Sequence, residues 1–572
     1  MKTEARLLIS NLPPLGQIRN EKGAPFCKSM RFTETSVAMP ENFSNSLLRS
    51  DVASKNLSLI LNDKTLREQL KNWALALNVN HKQLDVLLKI LQLFHPDLPA
   101  CSKTVLGTIR KISSKVMSNG EYTHFGIKQM LPNSVDLSIC RRIYLDVNID
   151  GCPIYKNPGK KQSYREIWPI LARANESRVF IVGLFTGKGK PERLDFFLQD
   201  FIEEIQELEE NGFSFEGGSI PFKLRYFICD APARSYLKGI VGHCSRRGCE
   251  RCTVVGYSHG RITAFHQLDA SLRKHEDFVY LIHPDHQITI SPLLKLDIDF
   301  VYCFLLDAMH LLYLGKSIGN FGIFNFVIKR FNLNLVFYFE LILPVISLLR
   351  HNPENFSHFK AFRNIEIRYK KGLYLGVVKR LLKFWILKGR PPTRLTPQKR
   401  DELEMLMLLM SGFVPKEFSR KTRGTSEAGQ FKACELRLFL LYVGLIVLRG
   451  ILSREMYEHF MLLHVAATIL SCREHISRYL ELARLLIKNF ILQGYRYYGE
   501  SWTVYNVHSL SHITDDVAKA GRPLQSLSAF PFENFLGHLK KFVRSAYKPH
   551  EQICKRTLEE NVIEGARAAI RG

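Results

Sequence analysis

Between residues 142 and 230 the chain carries a period-two pattern that suits β-strands, broken once by a helix. Arg142-Ile-Tyr-Leu-Asp-Val-Asn-Ile-Asp150 alternates apolar and polar residues and stops at Asp150-Gly151, a turn signal. Runs at 164–172 and 178–185 read as the next strands, and 194–211 takes helical spacing with one acidic face. Phe222-Lys-Leu-Arg-Tyr-Phe-Ile-Cys-Asp230 is a further strand. Three strands, a helix and a fourth strand predict an α/β fold. The first and the last strand each end on a carboxylate, where open α/β sheets place their chemistry.

The flanks read differently. Residues 1–57 form an irregular lead-in with Pro13-Pro14 and no periodicity, and 58–139 a small helical region marked by Leu70, Trp73, Leu84 and Leu88. Residues 140–260 are the first part of the core, and 261–500 a mostly helical insertion. Helices are expected there at 299–314, 337–350, 374–385, 400–410, 433–448 and 454–492. Residues 501–572 hold a His-x3-His segment and a closing helix expected at 530–547. The longest apolar run, 438–448, falls short of the ~20 residues a bilayer requires, and the N-terminus has no signal-peptide core. Twelve scattered cysteines in 572 residues fit a reducing compartment better than a disulfide scaffold. Eighty Lys and Arg against 54 Asp and Glu leave a net charge of +26, which attracts polyanions, nucleic acid foremost.

Three constellations carry chemistry. Asp150 and Asp230 end separate strands, and Glu533 lies in the first turn of the closing helix. Phosphodiester chemistry uses two hard cations ~3.5–4 Å apart, each held by few carboxylates. Converging, these three would meet that need; singly, each also reads as a turn residue or a helix N-terminal charge. Second, Gly248-Cys-Glu-Arg-Cys252 is a C-x-x-C turn, and His508 and His512 share a helix face four residues apart. Together they make a Cys2His2 set suited to Zn2+, with His243 and Cys244 as nearby substitutes and a redox pair as the alternative. Third, Asp307-Ala-Met-His310 sits on one helical turn and also reads as an ordinary helix pair.

In colinear order these segments resemble the DDE transposases of the CACTA (En/Spm) type. The resemblance runs over about 140–550. It rests on Asp150-Gly-Cys-Pro-Ile-Tyr-Lys with Ile167-Trp-Pro-Ile170, Lys188-Gly-Lys-Pro-Glu192, Cys229-Asp-Ala-Pro-Ala-Arg234, Gly248-Cys-Glu-Arg-Cys252, Asp307-Ala-Met-His310, Asn506-Val-His508 and Phe532-Glu-Asn-Phe-Leu-Gly537. It implies a ribonuclease-H-like core interrupted by a long helical insertion before the final acidic residue. It further implies Asp150, Asp230 and Glu533 as catalytic ligands of Mg2+ or Mn2+, with Asp146 as the alternative first carboxylate. The recombinase of antigen-receptor assembly is similar in pairing a C-x-x-C with two His before the Glu, which strengthens the zinc expectation. Asp307 and His310 match an Asp-x-x-His element of these families, an accessory to the site. The implied activity is cutting of transposon ends and joining of the 3′-hydroxyl to target DNA. Basic loops bearing Arg246, Arg247, Arg390, Arg420 and Arg423 would hold phosphates. Double-stranded DNA as partner, a homodimer or larger assembly and a nuclear location follow by the same resemblance. The alternative is a domesticated, transposase-derived DNA-binding protein without catalysis; a structure-selective nuclease on the same core is a third reading. No separate end-reading module precedes residue 140 in this pattern.

Overall fold

Alternating side chains from 143 onward can bury one or both faces of a strand, and in the computed structural model they build one mixed sheet flanked by helices. The structure describes residues 65–107, 112–154, 165–311, 376–415 and 418–571, apart from 77, 78, 80, 261 and 419. The expected lead-in 1–57 and the expected helix at 337–350 lie outside them. Eight strands form the sheet: β1 (Lys115–Met117), β2 (Gly120–His124), β3 (Ile143–Ile149), β4 (Cys152–Pro153), β5 (Arg165–Ala174), β6 (Val179–Lys188), β7 (Phe222–Cys229) and β8 (Phe304–Leu306). Their order is β1-β2-β6-β5-β3-β7-β8, with β4 paired to β5. β5 runs antiparallel to both β3 and β6, whereas β3, β7 and β8 are mutually parallel neighbours.

That parallel trio positions the site. Because the three strands share a direction and β8 is in register with β7 (Leu306 opposite Cys229), the residues that follow them emerge at one edge. Those residues are Asp150, Asp230 and Asp307. Both faces of the trio are covered: Ile143, Leu145, Val147, Ile149, Phe227, Ile228 and Leu305 are buried, as parallel strands require. Helix α1 (Leu194–Asn211) seals one face with Phe197, Phe201, Ile205 and Leu208. Its i, i+4, i+8 spacing keeps those side chains on a single stripe.

Several expectations are corrected. The sheet reaches ahead of 140: the hairpin β1–β2 extends it alongside β6, and among the described residues the helices before that hairpin are Leu66–Ala76, His81–Leu91 and Ser102–Leu106. The strands of the hairpin are too short to show an alternation of their own. Of the expected helix at 299–314, the described part to 311 is instead strand β8 followed by the short helix α2 (Ala308–Leu311). An apolar run buried on all sides fits either period, and pairing with β7 decides it. Among the described residues, the longer helices of the expected insertion lie between 377 and 498. Within it, 454–492 is two helices, α3 (Arg454–Leu470) and α4 (Arg473–Tyr498), separated at Ser471-Cys472, and 433–448 contains a π turn at Phe439–Val443. The two long helices pack on Trp385 and Trp502, both fully buried. Helix α5 (Tyr505–Ala520) returns the chain to the sheet, α6 (Phe530–Phe542) is shorter than expected, and α7 (Pro549–Arg571) packs against β6 and α6.

The turn after β3 depends on glycine. A Cβ on Gly151 would lie 2.5 Å from the Trp168 indole, which donates to Glu166 at 3.1 Å and packs edge-on against Tyr236. Gly151→Ala is expected to displace that ring and cost roughly 1–3 kcal/mol, the usual cost of overpacking. Chemical denaturation checks it; an unchanged midpoint would show that the turn yields freely.

Candidate active site and metal centre

Asp150 leaves β3 half-buried and accepts the Gly151 amide on Oδ1 at 2.7 Å, so the turn itself orients the carboxylate. Asp230 caps the helix that follows β7, residues Ala231–Lys238, by accepting the Ala233 amide at 2.7 Å. Pro232 in the first turn of that helix costs no hydrogen bond there. Glu533 faces them from the first turn of α6. Burial pushes the Asp150 carboxyl well above its ordinary range, and the negative charges of Asp230 and Glu533 push it further. Glu533 is raised likewise, first by burial and then by Asp307 and Asp230, against the opposing charge of His310. Three predicted carboxylates thus share one crowded, negative corner, although they were 80 and 303 positions apart in the chain.

Asp307 and His310 belong to the same corner. His310 Nδ1 is 2.5 Å from Asp307 Oδ2, and its Nε2 is 3.9 Å from Glu533 Oε1. Burial works against charge on this imidazole, but the hydrogen bond and charge of Asp307 prevail and hold its pKa at about 9. It is therefore a cation at neutral pH. Asp307 Oδ1 in turn accepts the amide of Ala529, the residue that leads into α6, at 2.8 Å. The pair read as an ordinary helix feature ties β8 to the helix bearing Glu533.

Asp146, the alternative first carboxylate, is placed elsewhere. It is buried within β3 and held by Arg225 at 2.7 and 2.6 Å and by Arg173 at 3.1 Å. Both oxygens are engaged, so Asp146 serves the sheet and Asp150 is the carboxylate at the strand end.

The second constellation also assembles. Cys249, Cys252, His508 and His512 are buried, and one donor atom from each lies within 4.8 Å of all the others. The separations are 3.5 Å between the sulfurs, 3.3 Å between the two Nε2 atoms, 3.3 Å for Cys252–His508 and 3.7 Å for Cys249–His512. A tetrahedron with ~2.3 Å metal–sulfur and ~2.0 Å metal–nitrogen bonds spaces its donors by about 3.3–3.8 Å. The cluster could hold a metal such as zinc, and its four donors are complete without His243 or Cys244. Burial opposes charge on either thiol, yet the hydrogen bond from Cys252 and the two imidazoles make Cys249 the readier thiolate. Among the described residues this is the only group of three or more His, Cys, Asp or Glu drawn so closely together.

The basic residues divide. Arg246, Arg390 and Arg420 are exposed, and Arg247 pairs with the exposed Asp285 at 3.1 Å. Arg423 is a correction. Its guanidinium is taken up by Glu435 at 2.6 and 2.9 Å and by Glu427 at 2.6 Å, which binds helices to each other and leaves it poorly placed for phosphate.

The pattern missed the residues enclosed by the two cysteines. Glu250 and Arg251 are buried, as are their partners Arg234, Tyr505 and Asp516. One signal was present: Tyr505, His508, His512 and Asp516 recur at three, four and four residues, a single helix face. No helix among the described residues is long and apolar enough to cross a membrane. No protein-family model matches the chain, nor does any curated protein.

Proposed function

We propose that the chain is a DNA transposase of the DDE type, cutting element ends and joining 3′-hydroxyl strands to target DNA on a ribonuclease-H-like core. The observation that carries the reading is the edge where three adjacent parallel strands end in Asp150, Asp230 and Asp307 with Glu533 facing them. The strand order β6-β5-β3-β7-β8, with only β5 reversed among the five, supports that reading.

The donors suit hard divalent cations. Asp150, Asp230 and Glu533 offer carboxylate oxygens, and Asp150 and Glu533 are pushed up first by burial and then by the neighbouring carboxylates, so a cation there would find acidic groups that water screens poorly. Mg2+ or Mn2+ held there would stabilise the entering and leaving oxygens of an in-line displacement at phosphorus. The chain's own contribution is placement. Gly151 and the Ala233 amide orient the two aspartates, and Asp307 fixes the approach of the Glu533 helix. The buried Cys2His2 cluster, holding zinc, pins the start of α5 to the loop after the Asp230 helix. The +26 charge and the exposed Arg246, Arg390 and Arg420 would gather double-stranded DNA, with affinity falling steeply as salt rises. Self-association and a nuclear location accompany this proposal.

The test is cleavage of DNA carrying candidate element ends by the purified chain, in Mn2+ or in EDTA, beside Asp230→Ala. Metal-dependent cleavage is expected to fall roughly a thousandfold in the variant, about 4 kcal/mol of transition-state stabilisation. Binding of those ends without cleavage would instead favour the DNA-binding protein without catalysis.

A further inference from the structure

The loop of the Cys2His2 cluster and helix α5 meet as two four-residue faces, paired residue by residue. Cys249 faces His512 and Cys252 faces His508, while Glu250 meets Tyr505 and Arg251 meets Asp516. Each of the inner two then reaches a different strand end. Glu250 Oε1 accepts from Arg234 Nε at 2.7 Å and from the Tyr505 hydroxyl at 2.8 Å. Arg234 Nη1 donates at 2.5 Å to the carbonyl of Cys229, the residue before Asp230. Lys238 Nζ, one turn further along the same helix and boxed by Phe278, Phe300 and Phe304, lies 3.5 Å from Glu250 Oε2. On the other side, Arg251 Nη2 donates to Asp516 Oδ2 and to the Phe304 carbonyl, both at 2.7 Å. Asp516 Oδ2 also accepts the amide of Leu306, the residue before Asp307, at 2.7 Å.

We propose that Glu250 and Arg251 are positioning residues that transmit the seating of the metal loop to the acidic edge through two separate arms, Glu250–Arg234 to Asp230 and Arg251–Asp516 to Asp307. The proposal rests on the reading of that edge as the active site. Its physical basis is the stiffness of buried, charge-assisted hydrogen bonds: such groups cannot find water as a substitute partner, so each arm holds one geometry while the loop is seated. A metal in the cluster fixes the loop backbone on both sides of the dipeptide, and its loss frees both arms together. The second arm continues through Asp307 to the Ala529 amide and hence to the Glu533 helix. A clamp acting on the fold alone would need neither arm to end beside a site aspartate.

Amide hydrogen exchange on the zinc-loaded, full-length chain tests the arms without any assay of activity. Glu250→Gln keeps the shape and removes the charge; it is expected to speed exchange about tenfold at 228–238 while leaving 304–311 as in the wild type. Asp516→Asn is expected to do the reverse, and chelation of the wild-type metal to speed both segments, with zinc content unchanged in the two variants. Equal loosening of both segments by either variant, or no loosening in both, would overturn the two-arm coupling. If Glu250→Gln does not fold, Arg234→Lys carries the same expectation for 228–238. In parallel, Mn2+ binding followed by electron paramagnetic resonance should weaken about tenfold in Glu250→Gln and vanish in Asp150→Asn. Wild-type protein showing no Mn2+ site that Asp150→Asn removes would sink the active-site reading, while the exchange pattern would still decide the coupling.

Discussion

Cys249→Ser is expected to empty the buried cluster and lower the unfolding midpoint by roughly 8 °C or more. The estimate follows from linkage: a metal that binds only the folded chain, at a free concentration a thousand times its Kd, stabilises by about 4 kcal/mol. At ~2 °C per kcal/mol for a long chain, that is the shift expected. The wild type in excess chelator should behave like the variant, since both lose the same interaction, and metal analysis should return one zinc per wild-type chain. The structural reason is the reach of the cluster: it ties residues 249–252 to 508–512 across the whole helical insertion. A chelator-insensitive midpoint in protein that carries no zinc would remove the metal from the account and leave two buried thiols beside two imidazoles.

Asp146→Ala is expected to cost about 3–5 kcal/mol, because it strands two guanidinium groups in the sheet. Asp146 is 1% exposed, with Arg173 directly across from it on β5. Removing one partner of a buried ion pair leaves a charge with neither water nor a counter-ion, which is worse than never having buried the pair. The loss should spread, since Arg173 also donates to the Ser526 carbonyl at 2.9 Å and lies over the Phe532 ring next to Glu533. Urea denaturation gives the number. Asp146→Asn with intact stability would mean that neutral hydrogen bonds suffice, whereas a larger loss of stability in Asp150→Ala than in Asp146→Ala would exchange the roles assigned to the two.

Much of the core was legible. The strands at 143–149 and 222–229 and the helix at 194–211 between them stand in the structure almost residue for residue, although β3 is buried on both faces and its alternating polar residues Asp146 and Asn148 are taken up by Arg173, Arg225 and the Ile228 carbonyl rather than by water. Cys249, Cys252, His508 and His512 were legible for a chemical reason: few other residue types bind a soft cation, and C-x-x-C and His-x3-His each present two donors on one side. Strand β8 was not legible. Phe304-Leu-Leu306 has no polar residue to show a phase, and only the open edge of β7 turns it into a strand.

What the sequence determined by itself was therefore local: which segments alternate, where they stop, and which donors share a turn or a helix face. The sequence already set Asp150 apart by the turn signal after it. The tertiary structure alone supplied the partners of Asp146, the guanidinium groups of Arg173 and Arg225, which take up both its oxygens inside the sheet. It also withdrew Arg423 from the basic loops by giving it Glu435, and it turned the dipeptide between two cysteines into a junction. In each case the deciding partner lies on another element, and no local period records it. A carboxylate's role follows from which charges reach it, and that is set only when the strands have paired.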